Sequence, residues 1–133
     1  MNHTNLERLT ASEARRELES GRVTSEALVS EHLARIAERD GAVGAWTIVD
    51  SEAALKAARA SDARRAEGRP ASPLDGIPVG IKDIIDTKDF PTEYGSEVFA
   101  GRQPDFDAFI VEQLKSAGAI IVGKTVTTEL AFF

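Results

Sequence analysis

The sequence predicts an α/β protein with a helical first half and a second half that begins a sheet. Three observations carry this. Between residues 9 and 67, apolar residues recur at helical spacing behind capping signals. After residue 72, where four of the five prolines lie, short and wholly apolar runs take over. Those runs alternate with a helical pattern in the order strand, helix, strand, which fits a βαβ crossover. Residues 1–72 therefore read as an N-terminal helical segment and 73–133 as the start of an α/β core, together one incomplete domain.

The elements follow in order. Thr10 and Glu13 form a Thr-x-x-Glu capping box, Leu9 sits where a hydrophobic staple begins, and Gly21 marks the stop. Thr24 caps a second helix whose apolar face is Leu28, Val29, Leu33, Ile36 and Ala37, with Gly41 as its expected end. Ala45–Val49 is short and β-rich, so a strand is expected. Asp50 or Ser51 then caps a third helix to about Glu67, with Ala54, Leu55 and Ala58 as a thin buried stripe. Leu74-Asp75-Gly76 is a turn. Residues 77–82 form a strand, and Ile84–Asp86 is expected as a second extended piece. A loop to about Asp105 leads to a helix at 106–117, capped by Asp105 or Asp107. Phe106, Phe109, Ile110 and Leu114 form its expected inner face, and Gly118 its stop. Ala119–Val122 is a fully apolar strand, expected parallel to 77–82 in the same sheet.

Composition excludes several classes of function. The net charge of −6 leaves no basic footprint for nucleic acid or an anionic membrane. There is no cysteine, so disulfides, thiolate catalysis and cysteine metal sites are ruled out. His3 and His32 are the only histidines, which supplies zinc sites and Ser-His-Asp triads poorly. Neither has a partner spaced to make a metal site, and neither is assigned a role. The polar start of the chain has no signal-peptide core, and no apolar run reaches membrane-spanning length. The expectation is a soluble, cytoplasmic protein.

Gly118 to Thr125 matches the phosphate-loop pattern GxxxxGK[ST] letter for letter. A phosphate loop needs its four middle residues to present free N–H groups. Here they are Ala-Ile-Ile-Val, the strand itself, so the match is rejected and Lys124 is read as a surface or structural residue after a strand. Asp83, Asp86 and Asp89 lack the glycine and terminal acid of a calcium loop and read as turn-forming residues. Lys82 is different. It closes the apolar run Ile-Pro-Val-Gly-Ile. Such a lysine either snorkels to water or is held in a site, where a neutral amine serves as a general base. Gly80 leaves room for another segment to come close.

Residues 74–83, Leu-Asp-Gly-Ile-Pro-Val-Gly-Ile-Lys-Asp, resemble the lysine segment of the amidase signature family. Asp86-Thr87, Phe90-Pro91-Thr92 and Tyr94-Gly95-Ser96 are similar to the loop that follows it in that family. Asp107, Ala117-Gly118-Ala119, Gly123-Lys124-Thr125 and Glu129-Leu130-Ala131 resemble the next helix, strand and Gly-Lys-Thr segment. Order and spacing agree over 74–131.

The resemblance implies the first strands of a mixed-sheet α/β/α sandwich. It also implies hydrolysis of a carboxylic amide C–N bond by a Ser-Ser-Lys triad without a cofactor. One serine attacks, a second relays the proton, and Lys82 is the base. In the family both serines come from a Gly/Ser-rich segment after the Gly-Lys-Thr strand, and none occurs before Phe133. Ser96 matches a structural loop and is no substitute. The chain is therefore expected to be an N-terminal, lysine-bearing part that is inactive alone. Its expected partners are a small-molecule amide, the remainder of the same protein, and a second copy as a homodimer. The alternative is a non-catalytic, stand-alone module whose helices mediate oligomerisation or binding. Asp83, on the opposite face from Lys82 by strand alternation, is expected to be structural and to accept backbone N–H groups. In the complete protein, Val79, Ile81 and Ile84 are expected to keep water from Lys82.

Overall fold

The computed structural model describes residues 5–132, so His3 and Phe133 lie outside the described residues. Helix α1 (Ala11–Glu19) begins at the expected capping box: Glu13 N–H donates to Thr10 Oγ1 at 3.3 Å, and Thr10 N–H to Glu13 Oε2 at 2.8 Å. Helix α2 (Ser25–Val43) starts where the Thr24 hydroxyl accepts the Ala27 N–H. It runs through Gly41, its expected end, and stops at Gly44. Gly44 takes the left-handed conformation (φ 64°) that terminates a helix, and its N–H donates to Asp40 O at 2.7 Å. After strand β1 (Trp46–Val49), Asp50 caps α3 (Ser51–Ala66) by accepting the Ala53 N–H.

Strand β2 (Pro78–Lys82), helix α4 (Phe109–Ser116) and strand β3 (Ile120–Thr125) complete the element order apart from short 3-10 turns. The sheet order is β1-β3-β2, with β2 parallel and β1 antiparallel to the central β3. The expected parallel pairing of 77–82 with 119–122 is present, and β3 continues through Gly123, Lys124 and Thr125. A Cβ on Gly123 would lie 2.0 Å from Ile48 O, so glycine here lets β1 approach β3. The Gly-Lys-Thr segment is thus a strand with its backbone in sheet pairing.

Two expectations are corrected. Ile84–Asp86 is not extended: Ile84 and Ile85 lie in a turn closed by Ile85 N–H to Lys82 O at 3.0 Å. Helix α4 starts later than expected, at Phe109 with Ala108 as an uncharged cap. Asp107 instead accepts the Lys88 N–H and pairs with Lys115. The expected face of α4 is also wrong. Val111 is its buried residue, while Phe106, Phe109 and Ile110 are exposed, Phe109 at 75%.

The core has two clusters. Val29 of α2, Ala54 and Ala58 of α3 and Ile120 of β3 pack together, with Leu55 only partly buried. The two alanines let α3 come close to its neighbours. Ala14, Leu18, Leu28 and Ile77 form the second cluster, which ties α1 and α2 to the entry of β2.

Asp75 joins the helical half to the sheet. Its buried carboxylate accepts from Arg64 at 2.6 and 3.0 Å and from the Ala71 N–H at 2.8 Å, while Arg65 donates to its carbonyl. Gly118 packs so close to Asp75 Oδ1 that a Cβ would sit 2.5 Å away. Burial pushes the Asp75 carboxyl up, but the Arg64 and Ala71 hydrogen bonds outweigh it and hold it below the usual carboxylate range. A carboxyl lowered on folding contributes stability above its ordinary unfolded value, and this is lost as pH falls through the folded value. Asp75→Asn is therefore expected to cost about 2 kcal/mol at neutral pH. In thermal melts the gap between wild type and variant should narrow steadily below about pH 4.

Candidate active site

Lys82 ends β2, an edge strand of the described sheet. In register it pairs with Thr125, while Ile81 pairs with Lys124. Consecutive strand residues point to opposite faces, so the two lysines project from opposite sides of the sheet. Gly80 shares the Lys82 face, where a Cβ would meet the Trp46 ring and Thr125 Cγ2, each at 2.9 Å. This is the close approach that a glycine at this point was expected to allow.

The Lys82 side chain is exposed, and no hydrogen bond or ion pair reaches its ammonium among the described residues. Val79 and Ile81 lie on the other face by alternation, and Ile81 sits beside Lys124. In the described chain these apolar residues therefore do not keep water from Lys82.

Lys124 is the reverse. It lies within β3 rather than after it, at 0% exposure, so of the two readings the surface one fails and the structural one holds. Its ammonium donates to Asp83 Oδ1 at 2.9 Å, to Pro91 O at 3.0 Å and to Thr92 Oγ1 at 2.6 Å. Three acceptors match the three donors of an ammonium. Asp83, 2% exposed, is held as tightly. Its N–H donates to Thr125 O at 2.9 Å, its carbonyl accepts the Tyr94 N–H at 3.0 Å, and its Oδ2 accepts the Glu93 N–H at 3.2 Å. Asp83 is thus buried, opposite Lys82, and accepts a backbone N–H, as alternation suggested.

The loop after β2 is fastened by charge. Asp86 pairs with Arg102 through both oxygens, at 2.6 and 3.1 Å, and the Arg102 guanidinium lies 4.9 Å from the Tyr94 ring centroid. The Arg102 hydrogen bonds hold the Asp86 carboxyl below its usual range, against the opposing effect of burial. Ser96 is committed too: its hydroxyl donates to Glu129 Oε1 at 2.7 Å. Leu130 N–H donates to Tyr94 O at 2.8 Å, so residues 94–96 are docked on the segment after β3. His32 Nδ1 lies 2.8 Å from Leu28 O, inside its own helix. Among the described residues no group of three or more His, Asp or Glu side chains is gathered as for a metal ion, and no helix is long and apolar enough to cross a membrane.

Sequence reasoning missed Lys124 as a buried residue, because the strand was expected to end at Val122, whereas β3 runs on to Thr125. A register step between Val79 and Gly80 sets Lys124 beside Ile81. The available signal was a lysine in a wholly apolar run with an acid, Asp83, at the end of the neighbouring strand.

Known proteins resemble this chain in sequence and fold. The amidase family profile matches residues 27–133. The chain belongs to the amidase family. A glutamyl-tRNA(Gln) amidotransferase subunit from Salinispora arenicola is 44% identical over 128 residues, covering 96% of this chain and 26% of that protein. The corresponding subunit from Anaeromyxobacter sp. is 49% identical over 109 residues, 82% of this chain and 22% of that protein. Native peptide amidase from Stenotrophomonas maltophilia superposes with a TM-score of 0.84 at 34% identity, covering 92% of this chain and 25% of that one. The chain thus spans about a quarter of the length of these amidase relatives.

The two lysines should separate on stability. Breaking a buried ion pair from one side costs about 3–5 kcal/mol, because it strands the other charge. Lys124→Ala is expected to lower the denaturation midpoint accordingly. Lys82→Ala, on an exposed side chain, should leave the midpoint where it is. Denaturant melts of the two variants side by side check this.

Proposed function

We propose that this chain is the lysine-bearing part of an amide hydrolase and that Lys82 is its base. The observation that carries the reading is the contrast between the two lysines. Lys124 has every donor engaged, whereas the Lys82 amine is exposed and, among the described residues, without a polar partner at the carboxyl end of a parallel strand. In open α/β sheets that end of the strands is where ligands bind. Membership of the amidase family supports the same reaction class.

In the Ser-Ser-Lys scheme, the nucleophilic serine Oγ forms a bond to the amide carbonyl carbon as its proton passes to the relay serine. The relay serine gives its own proton to the Lys82 amine. The proton then returns by the same route to the departing nitrogen as the C–N bond breaks. Water, activated in the same way, releases the acyl group from the serine. Ser96 does not fill either serine role, because its hydroxyl is bound to Glu129. Both serines and the oxyanion donors belong, in this reading, to a segment beyond residue 133 in the complete protein.

Two measurements test the proposal. In the complete protein, Lys82→Ala should lower kcat on a carboxylic amide by several orders of magnitude without changing the melting temperature. Retention of wild-type kcat would remove the role. The 133-residue chain by itself should take no covalent label from a serine-directed phosphonate. It offers a base but no oxyanion donors, each worth about 3–4 kcal/mol of barrier. Stoichiometric labelling would show that a serine of this chain is itself activated and would favour a self-contained site.

A further inference from the structure

We infer that Lys124, through Asp83 and Thr92, is a positioning device for Lys82. The inference rests on the reading of Lys82 as the base. Lys124 is the largest fully buried side chain among the described residues, and the proposed reaction does not use it. An ammonium with no exposure is expensive to keep unless it does something an apolar residue would not. What it does is join three pieces of backbone at one point. It sits in the central strand β3, it holds Asp83, the residue directly after Lys82, and it holds Pro91 and Thr92 from the following loop.

Asp83 is thereby fixed through its N–H, its carbonyl and both carboxylate oxygens. Thr92 is fixed in turn: its N–H donates to Arg102 O at 3.0 Å, and its hydroxyl donates to Ile85 O while accepting from Lys124. The turn leaving β2 closes on Lys82 O itself, through the Ile85 N–H. The backbone of Lys82 is therefore clamped by the β3 ladder on one side and by the Lys124 network immediately after it. The side chain carries no polar contact of its own to fix it among the described residues. Lys82 also lies on an edge strand, where one row of backbone groups lacks a partner in the described sheet. A base must be held within a fraction of an ångström of its proton donor, and a shift of about 1 Å can cost about a hundredfold in rate. Lys124 projects from the opposite face and does not reach the Lys82 side, so its effect passes through the backbone alone.

The test uses the complete protein and three variants. Lys124→Met removes the ammonium and keeps the stem. Thr92→Val removes the hydroxyl that accepts from Lys124 and donates to Ile85 O, at nearly constant shape. Lys82→Ala is the control for the base. Activity is measured at a temperature where each variant is folded by circular dichroism, so that kcat is per folded molecule. Lys124→Met should lose about ten- to a hundredfold in kcat and Thr92→Val about three- to tenfold, both with KM within about twofold of wild type, because neither residue touches substrate. A purely structural role predicts lower melting temperatures with kcat per folded molecule unchanged, and that result in both variants overturns the inference. Should Lys124→Met fail to fold, Thr92→Val decides by the same criterion. If Lys82→Ala keeps its activity, the reading of Lys82 as base fails. If Lys82→Ala is inactive while Thr92→Val and any folded Lys124→Met retain wild-type kcat, only the positioning role fails.

Discussion

The ion pair between Lys124 and Asp83, buried between the sheet and the loop that follows β2, is the interaction on which the rest of the second half depends. A buried charge pair is tolerated only when its remaining donors and acceptors are satisfied. Here they are: two carbonyl or hydroxyl oxygens complete the ammonium, and a backbone N–H completes the carboxylate. That requirement fixes the paths of three segments at once. It explains why the loop from Asp83 to Ala108 holds a defined course with little regular structure: its order comes from side-chain anchors. Asp86 with Arg102, Asp107 with Lys115 and Ser96 with Glu129 repeat the same device at lower burial.

The helical half is built differently. Its helices are set by local caps and held by small apolar contacts, Ala54 and Ala58 against Val29 and Ile120 above all. The two halves meet at Asp75, where one carboxylate satisfies the end of α3 and the turn into β2, with Gly118 packed against it. The same residues that join the halves place β2 beside β3. Lys82 at the end of β2 therefore depends on anchors on either side of its strand, Asp75 before and Asp83 after.

Much of this could be read from residues alone where the determinants are local. Thr10 with Glu13, Thr24 and Asp50 started their helices as expected, because a cap acts within four residues. The parallel pairing of the two apolar runs also followed from their pattern, and the motifs over 74–131 named the family that the profile match shows. What failed was non-local. Gly41 looks like the stop of α2, but the left-handed backbone that ends the helix is at Gly44. The inner face of α4 was misassigned because Phe109 and Ile110 are apolar yet exposed in this chain, while Val111 is buried. Lys124 was misplaced because the strand was expected to end at Val122, whereas β3 runs on to Thr125 and carries Lys124 into the buried interior. The placement of Lys82 at a strand end was legible. The clamp behind it was not, since its acceptors lie 32 to 41 residues away in sequence.

Lys124 and Lys82 occupy opposite environments, one locked among three acceptors and the other exposed with no polar partner among the described residues. Nitrogen-detected NMR of the side-chain ammonium groups tests it most directly. Lys124→Arg and Lys82→Arg spectra would assign the signals. The account predicts that the Lys124 ammonium gives a resonance at neutral pH whose hydrogens exchange slowly with water, coupled to the Asp83 carboxylate, while the Lys82 ammonium exchanges too fast to be seen. A Lys124 signal that exchanges as fast as that of Lys82, or a protected Lys82 in the same spectrum, would contradict it.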